Sequence, residues 1–223
     1  METPFPTFSP SGDSALLVTF GDTIDLATNR RAHALARRLL EAPLAGLGEA
    51  VPGYATLLVH YDPLALGYER ALEWVQARLG EAGAAGATSL LEPRRIEVPV
   101  IYGGEHGPDL EFVAQHSRLS PEEVVRRHTA RDYPVFLIGF TPGFPYLGGL
   151  DERIAAPRLP SPRQRVPAGS VGIAGQQTGI YSVDSPGGWR LIGWTPLSLF
   201  DPERQPPALL APGDLVRFVT MET

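Results

Sequence analysis

The feature that most restricts the fold lies in the second half of the chain, where glycine and proline interrupt the apolar segments every few residues. A long helix is disfavoured there, because proline removes a backbone hydrogen bond and its ring clashes with the preceding turn. Short strands joined by turns tolerate such interruptions. The apolar segments are 135–140, 169–174, 179–183, 191–194 and 215–219. We therefore predict a β-barrel or a β-sandwich for this part of the chain.

The first part of the chain has a different pattern, in which strand-like runs alternate with amphipathic, helix-like runs. The predicted elements are strands at 15–20 and 54–61 and helices at 24–42 and 68–79. Glycines among alanines predict a linker at 80–88, so we place a domain boundary near residue 90. The expected fold class is an α+β domain at 1–90, followed by a mostly-β domain at 91–223.

The second domain is expected to begin with one strand and two short helices. Alternating apolar residues predict the strand at 95–102, and the first helix is predicted at 109–116. The second helix has a strong start signal, with Ser120 as the cap, Pro121 at the first helical position and Glu123 placed to bond back to the cap. We expect this helix to end near residue 130.

The basic and sulfur-containing residues limit the chemistry that the chain can perform. It contains no cysteine, and all 19 of its basic residues are arginine. Cysteine nucleophiles, thiolate metal sites, lysine Schiff bases and serine–lysine pairs are therefore excluded. The formal net charge of −6 argues against a nucleic-acid partner, because phosphate binding needs clustered cations. Without a signal-like start or a long apolar run, we expect no membrane partner and a cytoplasmic location.

The most unusual segment is 139–150, in which prolines and glycines fix a loop that presents several aromatic side chains. We interpret this segment as a ligand-holding loop, in which the candidate binding residues are Phe140, Pro142, Phe144 and Tyr146. The alternative is a structural crossover whose aromatic rings only cap the barrel. The sequence leaves both interpretations open.

A second segment, 157–167, spaces arginines along a chain that prolines make stiff and extended. The planar guanidinium group binds both oxygens of a carboxylate or phosphate and stays charged at any working pH. Arg158, Arg163 and Arg165 are therefore candidate anion-binding residues. The alternative is an exposed loop whose arginines pair with surface carboxylates, where each pair contributes roughly 0 to 1 kcal/mol.

A third segment, 168–179, is rich in glycine and contains Ser170, Gln176 and Gln177. Ser170 resembles the nucleophile of a strand-to-helix elbow, but the residues after it are strand-like, so we do not expect it to act as a nucleophile. The glycines either allow backbone amides to approach an anion or turn a barrel corner. The two glutamines are candidates for orienting an amide substrate, and Ser170 is a candidate substrate- or nucleotide-binding residue.

The histidines offer one candidate for proton transfer. His128 lies near the end of a predicted helix and precedes Asp132, so a general base with an orienting carboxylate is one interpretation. A helix-terminal histidine favoured by the helix dipole is the other. No pair of histidines has the spacing of a helical metal site, and we predict no protein-bound transition metal.

Long stretches of the chain resemble a known family. These stretches are 128–150, 166–175, 186–189, 12–18 and 52–63. On these residues the chain resembles the family called KipI, allophanate hydrolase subunit 1 or the B-type subunit of 5-oxoprolinase, whose two parts are also described as carboxyltransferase subdomains C and D. The resemblance covers nearly the whole chain. The family pattern has an arginine where Trp194 stands, and Tyr-Pro where this chain has Tyr181-Ser182.

The resemblance implies an N-terminal α+β domain and a C-terminal cyclophilin-like barrel. It also implies partners: a larger subunit, of the kind called allophanate hydrolase subunit 2 or the C-type subunit of 5-oxoprolinase, and a lactam-utilisation protein. Together these proteins cleave the small molecule 5-oxoproline to glutamate and consume ATP. The resemblance implies that ATP, expected with Mg²⁺, is bound jointly by this chain and its partner. Two alternatives come from other relatives, namely inhibition of a sensor histidine kinase and one half of a biotin-dependent, urea-type carboxyltransferase.

The resulting hypothesis is that ATP phosphorylates the amide oxygen of 5-oxoproline, which gives this poor electrophile a leaving group. Arg163 and Arg165, together with Arg158, would stabilise the developing negative charge. His128 would carry a proton, and the aromatic loop would exclude water and so strengthen the charge contacts. Because the cleft would be completed by a second polypeptide, activity is expected for the complex.

Overall fold

The computed structural model describes residues 5–84 and 93–222, with the side chains of 81–84 left out. The chain divides into two compact units, 1–92 and 93–223. The predicted boundary near residue 90 and residues 85–88 of the predicted linker lie outside the described residues, whereas residues 80–84, also predicted as linker, are helical. No helix in the described ranges is both long enough and apolar enough to cross a membrane.

The N-terminal unit is a four-stranded antiparallel sheet with two helices. Its elements are β1 (Thr7–Pro10), β2 (Ala15–Thr19), α1 (Leu26–Glu41), β3 (Leu47–Pro52), β4 (Thr56–Tyr61) and α2 (Tyr68–Ala84). The strand order is β1-β2-β4-β3. Leu16 and Val18 pair with Val59 and Leu57 across β2 and β4, and all four are buried because alternate strand residues face the helices. The two predicted strands and two predicted helices are present.

Helix α1 shows how the sequence positions these elements. The Asp25 side chain caps the helix by accepting a hydrogen bond from the Thr28 backbone amide at 2.9 Å. Its buried residues recur at helical spacing, and the one polar member, Asn29, donates from its amide to the carbonyl oxygens of Gly53 and Tyr54. These bonds fix the turn between β3 and β4.

The C-terminal unit is built around a closed seven-stranded barrel. The barrel strands are β5 (Arg95–Tyr102), β6 (Asp132–Ile138), β7 (Pro145–Leu147), β9 (Ser170–Ala174), β10 (Gln177–Ile180), β12 (Arg190–Trp194) and β13 (Leu215–Thr220). The order around the barrel is β10-β7-β6-β13-β5-β12-β9. Only the pair of β13 with β5 is parallel among these described strands. The prediction of a barrel or sandwich is thus confirmed as a closed barrel.

Two helices, α3 (Leu110–Ser117) and α4 (Pro121–Thr129), connect β5 to β6 and pack on the barrel core through Val113 and Val124. Ser120 caps α4 as predicted, since its hydroxyl accepts from the Glu123 amide. The Glu123 carboxylate accepts from the Arg126 guanidinium and forms an ion pair with Arg127. This differs from the predicted bond back to the cap, because two cations lie one turn further along the helix.

A two-stranded ribbon lies beside the barrel sheet and adds a second, smaller core. The ribbon pairs β8 (Arg163–Val166) with β11 (Ser185–Gly187) in antiparallel fashion. Its core consists of the buried residues Phe144, Val166, Ala174, Tyr181, Trp189 and Leu191. This cluster is separate from the main barrel core, and three of its six members are aromatic. The candidate functional site lies on this aromatic cluster.

Candidate functional site

A pocket of about 350 Å³ opens where the predicted aromatic loop meets the ribbon. We call it the aromatic pocket, and its main walls are Phe140, Phe144, Tyr146, Tyr181, Trp189 and Arg158. Its volume is near the lower end of the range for ligand pockets, roughly 300–1,000 Å³, which suits a small ligand. Of the predicted binding residues, the pocket brings together Phe140, Phe144, Tyr146 and Arg158.

The aromatic walls form one packed unit centred on Phe144. The ring of Phe144 lies 5.0 Å from Tyr146, 5.3 Å from Tyr181 and 5.5 Å from Trp189, measured between centroids. The interplanar angles are 63°, 80° and 88°. Such edge-to-face contacts are the preferred geometry of aromatic pairs and each adds about 0.5 to 1.5 kcal/mol beyond burial. The pocket walls are therefore rigid before any ligand binds.

Gly187 and Gly188 form one side of the pocket. A Cβ atom on Gly187 would lie 2.2 Å from the Tyr181 hydroxyl oxygen and 2.7 Å from its ring carbons. Only glycine leaves room for the buried Tyr181 ring at this point. The same atom on Gly188 would meet its nearest neighbour, Pro162, at an ordinary 3.7 Å.

Phe140 is held in an unusual backbone conformation at the pocket. Its φ is +67°, in the left-handed region that side chains other than those of glycine and asparagine rarely adopt. Its side chain is 62% exposed, and the ring lies 5.6 Å from Phe144 in an edge-to-face arrangement. A strained backbone that presents a large exposed apolar ring is a feature of functional sites.

Arg158 is the cation of the aromatic pocket. It is exposed, and in the part of the chain that the structure describes no carboxylate pairs with it. Burial raises the pKa of Tyr146 and Tyr181 above the usual value, and the nearby Arg158 charge opposes this shift only in part. Both phenols therefore stay protonated at neutral pH and add no negative charge beside the arginine.

A second pocket, of about 430 Å³, holds the other two arginines of the same segment. We call it the arginine pocket, and its polar and aromatic walls include Glu105, His106, Arg163, Arg165, Ser170 and Trp194. The three predicted arginines are therefore divided between two pockets. The arginines of this second pocket, unlike Arg158, already have carboxylate partners.

Asp109 is the buried centre of that pairing. Its Oδ2 accepts hydrogen bonds from the Arg163 guanidinium at 2.9 Å and from the Leu191 backbone amide at 2.7 Å. Arg190 Nη1 lies 3.7 Å from its other oxygen, and the Arg190 guanidinium covers the Phe112 ring at 3.5 Å. Asp109 is only 7% exposed. Arg163 is thus committed to a structural ion pair that joins the start of α3 to the ribbon.

Arg165 is paired with Asp184 through two guanidinium bonds of 2.9 and 2.6 Å. This pair also lowers the pKa of Asp184, after the larger effect of the Ala168 backbone amide. Trp194 stacks on His106 at 5.4 Å and donates from its indole to the Ala168 carbonyl oxygen. The indole thus occupies this wall of the arginine pocket.

His128 lies in the main barrel core with 0% exposure. Its Nε2 is 2.9 Å from the Thr178 hydroxyl and its Nδ1 is 2.7 Å from the Tyr102 hydroxyl. Since the Thr178 proton is donated to the Gly172 carbonyl, Nε2 donates to Thr178 and Nδ1 accepts from Tyr102. Burial lowers the pKa of His128 to about 3.

This arrangement does not support the predicted role of His128 as a proton carrier. Both ring nitrogens are occupied, the ring stacks on Phe218 at 4.3 Å, and it is absent from both pockets. The Asp132 carboxylate, predicted to orient the ring, instead accepts from Arg95 and Arg217. The histidine is held in a neutral form by the barrel core.

The remaining predicted residues lie outside the aromatic pocket. Ser170 begins strand β9 and is buried, so it lacks the strand-to-helix turn of a nucleophile elbow. Gln176 is exposed in the turn before β10, and Gln177 is half-buried at the start of β10. Pro142 contributes its carbonyl oxygen to the loop, where it accepts from Ser182 at 2.6 Å.

Two important pocket residues, Tyr181 and Trp189, were not predicted from the sequence. The Gly187-Gly188-Trp189 run gave a signal, because paired glycines before an aromatic residue indicate a close approach of backbone to a ring. Of the glycines at 168–179, Gly179 packs against the aromatic cluster, because a Cβ atom there would lie 3.0 Å from the Trp189 ring and 3.1 Å from the Phe144 ring. Among the described residues, no group of three His, Asp or Glu side chains could hold a metal ion.

The fold and the pocket define a class, namely proteins with a closed barrel that carry a small, preformed aromatic site beside a two-stranded ribbon. The chain belongs to the family described as carboxyltransferase domain, subdomain C and D, whose model matches residues 6–210. The resemblance to the family of KipI and the B-type 5-oxoprolinase subunits is confirmed by this match and by the relatives that follow.

Two curated relatives match over nearly their whole lengths. The chain is 50% identical to the B-type 5-oxoprolinase subunit of Bacillus subtilis over 215 residues, covering 93% of this chain and 90% of the relative. It is 47% identical to the B-type 5-oxoprolinase subunit of Escherichia coli O157:H7, covering 93% of each. The similarity therefore extends through both structural units of this chain.

Solved structures support the fold. The crystal structure of TTHA0988 is 42% identical with a TM-score of 0.81, covering 94% of this chain. This chain spans only 40% of that longer chain. The urea carboxylase of Kluyveromyces lactis has the same TM-score at 21% identity, covering 97% of this chain and 22% of the enzyme, and indicates a shared fold.

Proposed function

We propose that this chain is one subunit of an ATP-dependent 5-oxoprolinase, which hydrolyses 5-oxoproline to L-glutamate. The observation that carries the proposal is its similarity, at 47 to 50% identity over nearly the whole of each relative, to proteins named as the B-type subunit of 5-oxoprolinase. The aromatic pocket supports it, since a small rigid cavity with one open cation suits a small carboxylate.

The proposed complex contains a larger, C-type 5-oxoprolinase subunit and a lactam-utilisation protein. The subunit names of the relatives imply partner chains. The similarity to only 40% of the longer TTHA0988 chain supports the same idea, because one polypeptide there joins this part to further sequence. ATP, with Mg²⁺, is proposed to bind jointly with the partner.

The proposed reaction begins with attack of the amide oxygen of 5-oxoproline on the γ-phosphorus of ATP, which releases ADP. Water then adds to the activated carbon and the ring C–N bond breaks, which leaves the γ-acyl phosphate of glutamate with a free amine. A second water hydrolyses this acyl phosphate to phosphate and glutamate. This chain would bind and orient the substrate and exclude water with its aromatic walls. Arg163 is assigned no charge-stabilising role, because Asp109 already holds it, and His128 no proton transfer, because it is enclosed in the core.

Co-expression tests the proposal. The chain is expressed with a C-type 5-oxoprolinase subunit and a lactam-utilisation protein, and ADP and glutamate are measured with and without 5-oxoproline. We expect ADP release that depends on 5-oxoproline and on all three proteins, with equal amounts of glutamate. A purified complex that hydrolyses no ATP in response to 5-oxoproline would contradict the proposal.

One alternative, a carboxyltransferase role, is favoured by the description of the matching family. A chain with that role would work with a biotin carboxylase and transfer a carboxylate from carboxybiotin to a urea-like acceptor. The same preparation separates the two functions: bicarbonate- and biotin-dependent consumption of ATP with urea supports the alternative, whereas 5-oxoproline-dependent consumption supports the hydrolase.

A further inference from the structure

We infer that the aromatic pocket binds a small cyclic carboxylate, with the Arg158 guanidinium on the carboxylate and the aromatic walls on the ring. This inference rests on the proposed function and assigns the substrate of that function to one pocket of this chain. It also assigns the recognition of negative charge to one of three arginines that lie within eight positions of each other.

The first step of the argument is the state of the three arginines. Arg163 donates to the buried Asp109, and Arg165 donates twice to Asp184. A ligand carboxylate would have to displace these partners. Arg158 has no carboxylate partner in the described ranges 5–84 and 93–222, so its charge is available to a ligand. Arginine binds carboxylate in a planar, two-bond geometry.

The second step is the shape and polarity of the cavity. Five aromatic rings and Arg158 surround about 350 Å³, and the edge-to-face packing on Phe144 fixes their positions. An apolar ring fits between such walls, while the guanidinium at the pocket disfavours a cationic ligand. The pocket lining contains no acidic side chain among the described residues. A compact anion whose single ring packs against the aromatic faces is the matching chemistry.

The third step is the cradle made by Gly187. Because a Cβ atom there would lie 2.2 Å from the Tyr181 hydroxyl, the backbone of the ribbon approaches the pocket wall as closely as the chain allows. This close approach forms the ribbon side of the pocket.

Binding to the purified full chain tests the inference, with tryptophan fluorescence and calorimetry as readouts because Trp189 lines the pocket. The probes are L-5-oxoproline, cyclopentanecarboxylate, which keeps the carboxylate without the lactam, and 2-pyrrolidinone, which keeps the lactam without the carboxylate. Arg158→Ala is expected to weaken binding of both carboxylates about ten- to hundredfold and to leave 2-pyrrolidinone unchanged. Arg153→Ala, an exposed arginine outside the pocket, is the matched control.

The same variants are then measured in the co-expressed complex. Arg158→Ala should raise the KM for 5-oxoproline by a similar factor, and Arg158→Lys should recover part of the loss because it keeps the charge. Unchanged binding and unchanged KM in Arg158→Ala, or equal weakening of 2-pyrrolidinone, would overturn the inference. That result leaves the 5-oxoprolinase function intact if the complex remains active. Carboxylate binding through Arg158 in a complex without 5-oxoprolinase activity would instead refute the function and retain the pocket assignment.

Discussion

The two pockets of the C-terminal unit contain arginines from one short segment, yet they differ in how those charges are satisfied. In the arginine pocket, Arg163 and Arg165 are paired with Asp109 and Asp184. In the aromatic pocket, Arg158 stands beside five rings without a carboxylate partner in the described chain. A charge paired within the protein fixes the fold, whereas an open charge next to a preformed cavity is available to a ligand.

The largest effect is expected from breaking the buried pair of the arginine pocket. Asp109→Ala removes the acceptor of Arg163 and of the Leu191 amide and leaves Arg190, which is 9% exposed, without its nearest carboxylate. Loss of one partner of a buried ion pair costs about 3 to 5 kcal/mol, so we expect the free energy of unfolding to fall by about 3 kcal/mol.

Urea unfolding followed by tryptophan fluorescence measures this loss. Arg165→Ala is the control, because its pair is mostly exposed and contributes about 1 kcal/mol or less. An equal loss of unfolding free energy in the two variants would show that the buried pair stabilises the fold no more than the exposed pair.

The second prediction concerns His128, whose polar atoms are satisfied within the barrel as completely as those of Asp109. Its pKa in the folded protein is about 3, below its ordinary value near 6.5, so the unfolded chain binds the proton more readily. The contribution of neutral His128 to the free energy of unfolding is therefore fully present above about pH 6.5, and it is lost as the pH decreases toward 3. Between pH 7 and pH 5 the loss from this residue is about 2 kcal/mol.

Unfolding measured at several pH values tests this expectation. His128→Phe should be less stable at pH 7, because Tyr102 loses its partner, but its stability should change much less between pH 7 and pH 5. His116→Gln, an exposed residue of α3, should keep the full pH dependence. An unaltered slope in His128→Phe would mean that another group governs the acid response.

The third prediction sharpens the comparison from the side of the aromatic pocket. Gly187→Ala forces the buried Tyr181 ring to move, because the new Cβ atom would lie 2.2 Å from its hydroxyl. We expect a loss of stability of about 1 to 2 kcal/mol and weaker binding of 5-oxoproline. Gly188→Ala, whose Cβ atom meets only ordinary contacts, is the control for calorimetric binding and thermal unfolding. Similar stability and similar binding in the two variants would show that the close approach of Gly187 to Tyr181 is not needed for the pocket.

The sequence predicted the barrel segments well because each is a short apolar run bounded by glycine or proline. It missed β1 and β3, since β1 has two exposed residues and β3 is an edge strand with an irregular register between Leu47 and Ala50. It also missed β7, β8 and β11, which are only three or four residues long. Edge strands lack the strict alternation that two buried neighbours impose. The residue types of the aromatic loop marked it as unusual, but the sequence did not decide between a ligand-holding loop and a structural crossover.

The division of the arginines between two pockets was not predictable from the sequence. Asp109 lies 54 positions from Arg163, and Asp184 lies 19 positions from Arg165, so their pairing depends on the closed barrel and the ribbon. For His128, the sequence showed a histidine at a helix end, whereas the fold turns that side chain into the barrel core. Tertiary packing decides burial, and burial decides the protonation of this group.

The smallest effect is expected from Phe140, where stability and binding should change in opposite directions. Phe140→Gly removes the cost of a positive φ, about 1 to 2 kcal/mol, and loses a ring that is mostly exposed, so we expect a net gain in stability of about 1 kcal/mol. Binding of 5-oxoproline should weaken several-fold because one wall is lost.

Arg118→Gly is the matched control for Phe140→Gly, since Arg118 has a φ of +55° at the end of α3, outside both pockets. It should be stabilised by a similar amount, with unchanged binding, because glycine is favoured at this helix end. Thermal unfolding and calorimetric titration of both variants give the two readouts. If Phe140→Gly binds 5-oxoproline as tightly as the original chain, the strained conformation of Phe140 serves the fold of the loop and not the ligand.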